Sequence, residues 1–308
     1  MNLSRKLLTA GLIGTVALGV GAQAAQADDA PAAPAHDVSP YIDVNEDNFH
    51  MIQDDKNATG VNSATLAFLN SSEGSCDLKW DGDSSQGSGY LKDQIADYQK
   101  GGGQITMSFG GAGNKNNMVA HTCNDVGKIK SAYENIVDTY GVNHLDFDVE
   151  EGAQDDHDAN QRRNEALVQL QQERPDVKVD YTLPVEPSGL SKSVQGVLSD
   201  AKETGVMVNA VNIMTMDFGK DEDTVKDGQS AIDGTNGQLQ EIFGDQHPAL
   251  GVTFCAGNDG DQQYFTEQNA RDLEGYAVQH GAQKLSFWQL PKDAKKGFSF
   301  SKAMTEIK

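Results

Sequence analysis

Apolar residues recur along this chain in two rhythms. Eight short runs rich in Val, Ile, Leu, Phe and Thr read as β-strands, at 40–44, 63–69, 104–109, 144–149, 177–185, 207–216, 249–254 and 284–290. Between most of them lie longer stretches whose apolar positions return every three or four residues, at 89–99, 126–140, 158–173, 191–204, 234–243 and 266–280. These read as helices; Ile129, Tyr133 and Ile136 show the spacing, as do Ala166, Leu167 and Leu170. The link between the first two strands is less clearly helical, and a short last element is expected at 298–307. Strand and helix in alternation make a parallel sheet. Eight repeats in roughly 250 residues make a closed (β/α)8 TIM barrel in a single α/β domain. An open doubly wound sheet is the alternative, but no glycine-rich phosphate loop follows any strand.

The strand at 144–149 departs from the ordinary pattern. Asp146, Asp148 and Glu150 stand two residues apart and alternate with Leu145, Phe147 and Val149. Alternate side chains of a strand share a face, so this one has a greasy face and an acidic face. Carboxylates so close repel, which holds at least one of them protonated near neutral pH, as a general acid requires. A solvated edge strand or a cation site is the plainer reading, and the flanking apolar residues argue for burial instead. Glu150 falls just past the strand end, where barrel enzymes place reactive groups. On this reading Asp148 supplies the charge that raises the pKa of Glu150.

Residues 1–27 read as a secretory signal peptide, with Arg5 and Lys6 before an apolar run at 7–22 and Ala25-Gln26-Ala27 before Asp28. Four glycines break the run, which argues against a membrane anchor. Residues 28–36, rich in Ala and Pro, read as a disordered leader, and 37–308 as the catalytic barrel. The formal net charge of -22 becomes -24 once Arg5 and Lys6 are removed. So acidic a chain is a poor partner for nucleic acid or an anionic membrane, and a neutral polymer suits it better. A secreted, extracellular monomer is expected. Seven histidines are scattered without metal-ligand spacing, so neither a metal nor a cofactor is expected. Asp43, Asn45, Asp47 and Asp54 only superficially resemble a calcium loop, since Asn48 stands where that loop needs glycine. Three cysteines allow at most one internal bridge. Cys76 and Cys123 fall in neighbouring loops on one face of the expected barrel, and Cys255 lies on the far side of the ring, so the pair expected is Cys76–Cys123.

Several segments together resemble glycoside hydrolase family 18, the chitinases, and within it the bacterial and archaeal single-barrel subgroup. The acidic strand matches the last five positions of the family pattern D-x-x-D-x-D-x-E, with Asn143 in place of the outermost Asp. Ser108-Phe109-Gly110-Gly111 matches the S-x-G-G signature, and further similarity runs through 181–185, 211–219 and 285–288. The resemblance implies substrate-assisted hydrolysis of β-1,4-linked N-acetylglucosamine polymers, in which the substrate's N-acetyl oxygen attacks the anomeric carbon. It implies Glu150 as acid and base, Asp148 as the group that orients the N-acetyl group, and Asp146 as the support that holds Asp148.

The same resemblance places Met214 and Asp217 on the stretch at 211–219 among the substrate-binding residues, with Trp288 as an aromatic floor under the sugar. Many family members carry Tyr before the Asp, where this chain has Met216, and Tyr181 is the candidate to replace that hydroxyl. Trp80 is a candidate outer sugar platform. Asn258 and Asp259 resemble a polar pair of the subgroup, although the neighbouring Phe254-Cys255-Ala256 departs from its pattern. Two rivals stay open: an endo-β-N-acetylglucosaminidase acting on glycoprotein glycans, and a catalytically silent chitin-binding lectin.

Overall fold

A computed structural model describes residues 36–80, 89–114, 116–258 and 263–308. The expected signal peptide and all but the last residue of the leader, and Asp259, lie outside the described residues.

The chain runs β1 (Asp37–Val38), β2 (Tyr41–Asp43), α1 (Met51–Thr59), β3 (Ser63–Asn70), β4 (Lys79–Trp80), α2 (Lys92–Lys100), β5 (Gln104–Gly110), α3 (Val119–Thr122) and α4 (Val126–Tyr140). It continues through β6 (His144–Asp148), α5 (His157–Glu173), β7 (Lys178–Pro184), α6 (Lys192–Thr204), β8 (Val208–Met214), α7 (Thr224–Phe243), β9 (Ala249–Cys255), α8 (Glu267–Gln279), β10 (Ala282–Trp288), α9 (Leu290–Ala294) and α10 (Ser299–Thr305). Two single turns of 3-10 helix follow β6 and α7.

β1 and β2 are two halves of one barrel strand. β1 pairs in parallel with β10 and β2 in parallel with β3. The seam is stitched by Ser39 N to Leu285 O at 2.9 Å, Thr65 N to Pro40 O at 3.0 Å and Ser286 Oγ to Ser39 O at 2.6 Å. The order between them is β10-β9-β8-β7-β6-β5-β3, all parallel, so the sheet closes on itself as a (β/α)8 barrel. β4 adds a short antiparallel pairing to the end of β3.

Helix ends follow local chemistry. Asp125, Asp156, Ser191 and Asp223 cap α4 to α7 by accepting from backbone N–H groups of the first turn, and Thr266 forms a capping box with Asn269 on α8. α4 stops at Gly141, whose φ of 61° suits a residue without Cβ. Two elements depart from expectation. α1 forms although only Ile52 and Asp55 of its residues are buried; Asp55 is tied down by Thr59 Oγ1 and Ser301 Oγ, each at 2.9 Å. α7 begins ten residues before the expected 234–243, because Gly228 and Gly234, which lower helix propensity, are there for close packing. A Cβ on Gly234 would stand 2.3 Å from Ser188 O, and one on Gly228 2.7 Å from Leu273 Cδ1.

The greasy face of β6 does what its pattern implies. Leu145, Phe147 and Val149 are fully buried outside the barrel wall, and Phe147 stacks on Phe109 at 5.0 Å and meets Tyr133 edge-on at 5.2 Å. Burying such side chains stabilises by roughly 2 kcal/mol each and fixes which way the acids face. The disulfide joins Cys76 to Cys123 with Cα atoms 4.9 Å apart, and Cys255 is buried outside the bridge, its Sγ 3.8 Å from Lys292 Nζ.

Candidate active site

Asp146 and Asp148 point into the barrel from β6, and Glu150 follows from the loop at its C-terminal end. The strand crossing beside them can approach only because of glycine. Gly110 has φ 101°, and a Cβ there would lie 2.2 Å from Asp148 O, while Gly111, at φ 83°, would collide with the Phe68 ring at 2.5 Å. Gly111 N then donates to Asp148 O at 3.1 Å, which locks the turn after β5 onto the end of β6.

The deepest acid is fully satisfied. Asp146 accepts from Tyr41 Oη at 2.9 Å and Ser108 Oγ at 2.6 Å on Oδ2, and from Thr182 Oγ1 at 2.6 Å on Oδ1. Asn212 carries the network onward, donating to Thr182 Oγ1 at 3.0 Å and Thr253 Oγ1 at 2.7 Å. Three hydroxyl donors on one buried carboxylate make charge-assisted bonds that fix its position. It acts on Asp148 through its charge; the expected clasp is made instead by Tyr41, Ser108 and Thr182 on Asp146.

Above it, a cavity of about 240 Å³ opens at the C-terminal end of the strands. Asp148, Glu150 and Asp217 supply its charge, Trp288, Phe68 and Tyr41 its aromatic wall, and Met214 and Met216 its apolar side. Phe68 backs Trp288 nearly parallel at 5.6 Å, which leaves the indole half-buried with a face toward the cavity. Asp217 stands in left-handed backbone, φ 56°.

Burial is the first cause of raised proton affinity at both central acids. Asp148 is pushed well above the usual carboxylate range by burial, then by the charges of Glu150 and Asp146. Glu150 is pushed up to about 7, by burial and then by the charges of Glu151 and Asp217. A hydrogen bond joins the two carboxyls, favouring the protonated form at Asp148 and the charged form at Glu150, while their mutual repulsion opposes ionising both. The pair therefore holds a proton between two carboxyls at neutral pH. Asp148 Oδ1 is buried and has no protein partner.

Two aromatic candidates fall elsewhere. Trp80 is 1% exposed, donates from Nε1 to Tyr140 Oη at 2.9 Å and meets that ring edge-on, so no face is free for a sugar. Tyr181 is paired in register with Phe147 and so lies on the outer face of the barrel; its hydroxyl donates to Asn164 Oδ1 at 2.6 Å. It therefore cannot replace the hydroxyl missing at Met216. Tyr41, Thr182, Asn212 and Thr253 were not singled out from the sequence. The inward parity of β7, set by register with β6, is the signal that could have found Thr182.

The glycine-walled strand end, the carboxyl pair and Trp288 stand together at the C-terminal mouth of the barrel, the end at which this fold places its reactive groups. No family profile matches the chain. It is 30% identical over 297 residues to the probable bifunctional chitinase/lysozyme of Escherichia coli strain K12, covering 88% of this chain and 32% of that protein. It is also 30% identical over 288 residues to endochitinase 11 of Metarhizium anisopliae, covering 85% of this chain and 53% of the relative. The chain thus spans about a third and about half of the curated relatives it matches. The catalytic domain of a hyperthermophilic chitinase from Pyrococcus furiosus superposes with a TM-score of 0.78 at 26% identity, over 89% of this chain and 95% of that one. The chain is thus similar over most of its length to chitinases and to a chitinase catalytic domain.

Proposed function

We propose that the protein hydrolyses chitin or chitooligosaccharides with retention at the anomeric carbon. The observation that carries this is the Asp148–Glu150 pair. It offers a transferable proton at the cavity mouth and, beside it, a buried carboxyl oxygen that no protein donor satisfies. That oxygen suits the N–H of an acetamido group. In the first step Glu150 gives its proton to the glycosidic oxygen as the C1–O bond breaks, and the acetamido carbonyl oxygen bonds to C1. Once the shared proton has passed to the leaving group both carboxyls are charged, and Asp148 balances the resulting oxazolinium. In the second step Glu150 takes a proton from water, which attacks C1 and reopens the ring. Trp288 supplies the face on which the sugar stacks.

Export before action belongs to the same reading. The basic and apolar start of the chain supports it, and so does the disulfide, which persists in oxidising compartments.

The test is proton NMR of chitin-oligomer hydrolysis within the first minutes, before mutarotation. The β anomer is expected first, with no turnover of fully deacetylated chitosan and inhibition by a thiazoline that mimics the cyclised intermediate. An initial α anomer would overturn the mechanism, and binding without cleavage would point to a lectin.

A further inference from the structure

The residue after the acid does more than continue the loop. Glu151 adopts φ 51°, a left-handed backbone that residues with side chains adopt reluctantly. Four described non-glycine residues have positive φ, and two of them, Glu151 and Asp217, stand at this site. The turn it takes brings Glu151 Oε2 to 2.6 Å from the backbone N–H of Gly113, a short charge-assisted bond. Gly113 closes the glycine turn that begins at Gly110 and carries Ala112 into the cavity wall. That turn is already tied to β6 through Gly111 N and Asp148 O, so Glu151 makes the second tie, on the far side of Glu150.

We propose that Glu151 is a positioning residue for the reaction: its carboxylate clasps the glycine turn to the end of β6 and so fixes the loop that carries Glu150. The inference rests on the role given above to Glu150. The charged groups that face Glu150 are Asp148 from β6, Glu151 from the adjoining loop and Asp217 from the loop after β8. Tyr41 of β2 and Cys255 of β9 line the same cavity, and no basic side chain does so among the described residues. Of the three carboxylates, Asp148 favours the ionised form of Glu150 through a hydrogen bond, and Glu151 precedes Asp217 among the charges that oppose it. Glu151 is exposed, so its field is open to salt.

Two variants separate the clasp from the charge. Glu151→Gln keeps an oxygen for Gly113 N–H and removes the charge, and Glu151→Ala removes both. The alkaline limb of kcat/KM should move toward acid by about half a unit in both variants at low ionic strength, the size of an exposed charge beside a titrating group. The gap should close in 1 M NaCl. The acid-side plateau should fall further in Glu151→Ala than in Glu151→Gln. A carbon-13 titration of the labelled Glu150 carboxyl, assigned by Glu150→Gln and read without substrate, should show the same displacement. An acid-side plateau that falls no further in Glu151→Ala than in Glu151→Gln overturns the proposal. A displaced midpoint in a protein that cleaves no chitin oligomer keeps the coupling of Glu151 to Glu150 and removes the activity assigned above.

Discussion

Tyr41→Phe removes one oxygen from the centre of the barrel and leaves the shape intact. In the structure that oxygen donates to Asp146 Oδ2 at 2.9 Å, lies 2.8 Å from Thr182 Oγ1 and receives Asn212 Nδ2 at 3.3 Å. Without it Oδ2 keeps Ser108 alone, and the buried carboxylate loses one of three hydroxyl donors. A hydrogen bond to a charged group is worth about 1.5–3 kcal/mol, so unfolding free energy should fall by about 2 kcal/mol. Tm should fall by about 4–8 °C, at roughly 2–4 °C per kcal/mol for a domain near this size. Without the phenol the hydroxyl network that seats Asp146 beneath Asp148 loosens, so the charge that acts on Asp148 is less well placed. A drop in kcat of about tenfold is therefore expected with little change in KM, since a loss of roughly 1.4 kcal/mol of transition-state stabilisation is tenfold. Thermal melts and chitin-oligomer kinetics give both numbers, and a double-mutant cycle with Asp146→Asn isolates the pair. In the background of Asp146→Asn the loss of the hydroxyl should cost less than about 0.5 kcal/mol. Equal losses in both backgrounds would refute the idea that Tyr41 acts through Asp146.

Glu150→Gln should abolish hydrolysis and leave oligomer affinity within a few fold by calorimetry, since general acid catalysis contributes ~100-fold or more. The wild-type rate should decline above about pH 7, where Glu150 loses its proton. Asp55 is buried and pushed up to about 7 in the folded state, against an ordinary value of 3.8. It binds its proton more tightly folded than unfolded, so its contribution is complete below pH 3.8 and is lost as pH rises through about 7. Asp55→Asn should flatten the fall in stability between pH 4 and pH 8 by about 2 kcal/mol, measured by urea melts; an unchanged slope excludes the assignment. Breaking the bridge by Cys76→Ser with Cys123→Ser frees a loop of 47 residues and should lower stability by about 4 kcal/mol in the same melts, while preserving the acid-side kcat.

The barrel and its acidic strand were legible because both follow from period-2 and period-3.6 patterns that burial enforces. The supporting network was not, because it joins β2, β5, β6, β7, β8 and β9 across the barrel, and no local pattern marks which hydroxyl meets which acid. Tyr181 illustrates the gap: its neighbour Thr182 is the inward residue, and only the pairing of Phe147 with Tyr181 fixes that choice. Trp80 was misplaced for another reason. An indole serves a sugar or a core equally well, and the deciding fact is a hydroxyl sixty residues away, on Tyr140. The early start of α7 was hidden by glycines whose purpose is contact with other elements.

The split first strand ties architecture to chemistry. Tyr41 sits on the half that seats against β3, next to the seam at Ser39 and Pro40 where the ring closes on β10. Until that strand is in place, the barrel is an open sheet and Asp146 lacks its phenol. Closing the ring and completing the proton machinery are thus a single event, and a chain caught partway through assembly holds all its acids yet has no competent centre. Any cut or slip along the seam would silence the protein without touching a residue that meets the sugar.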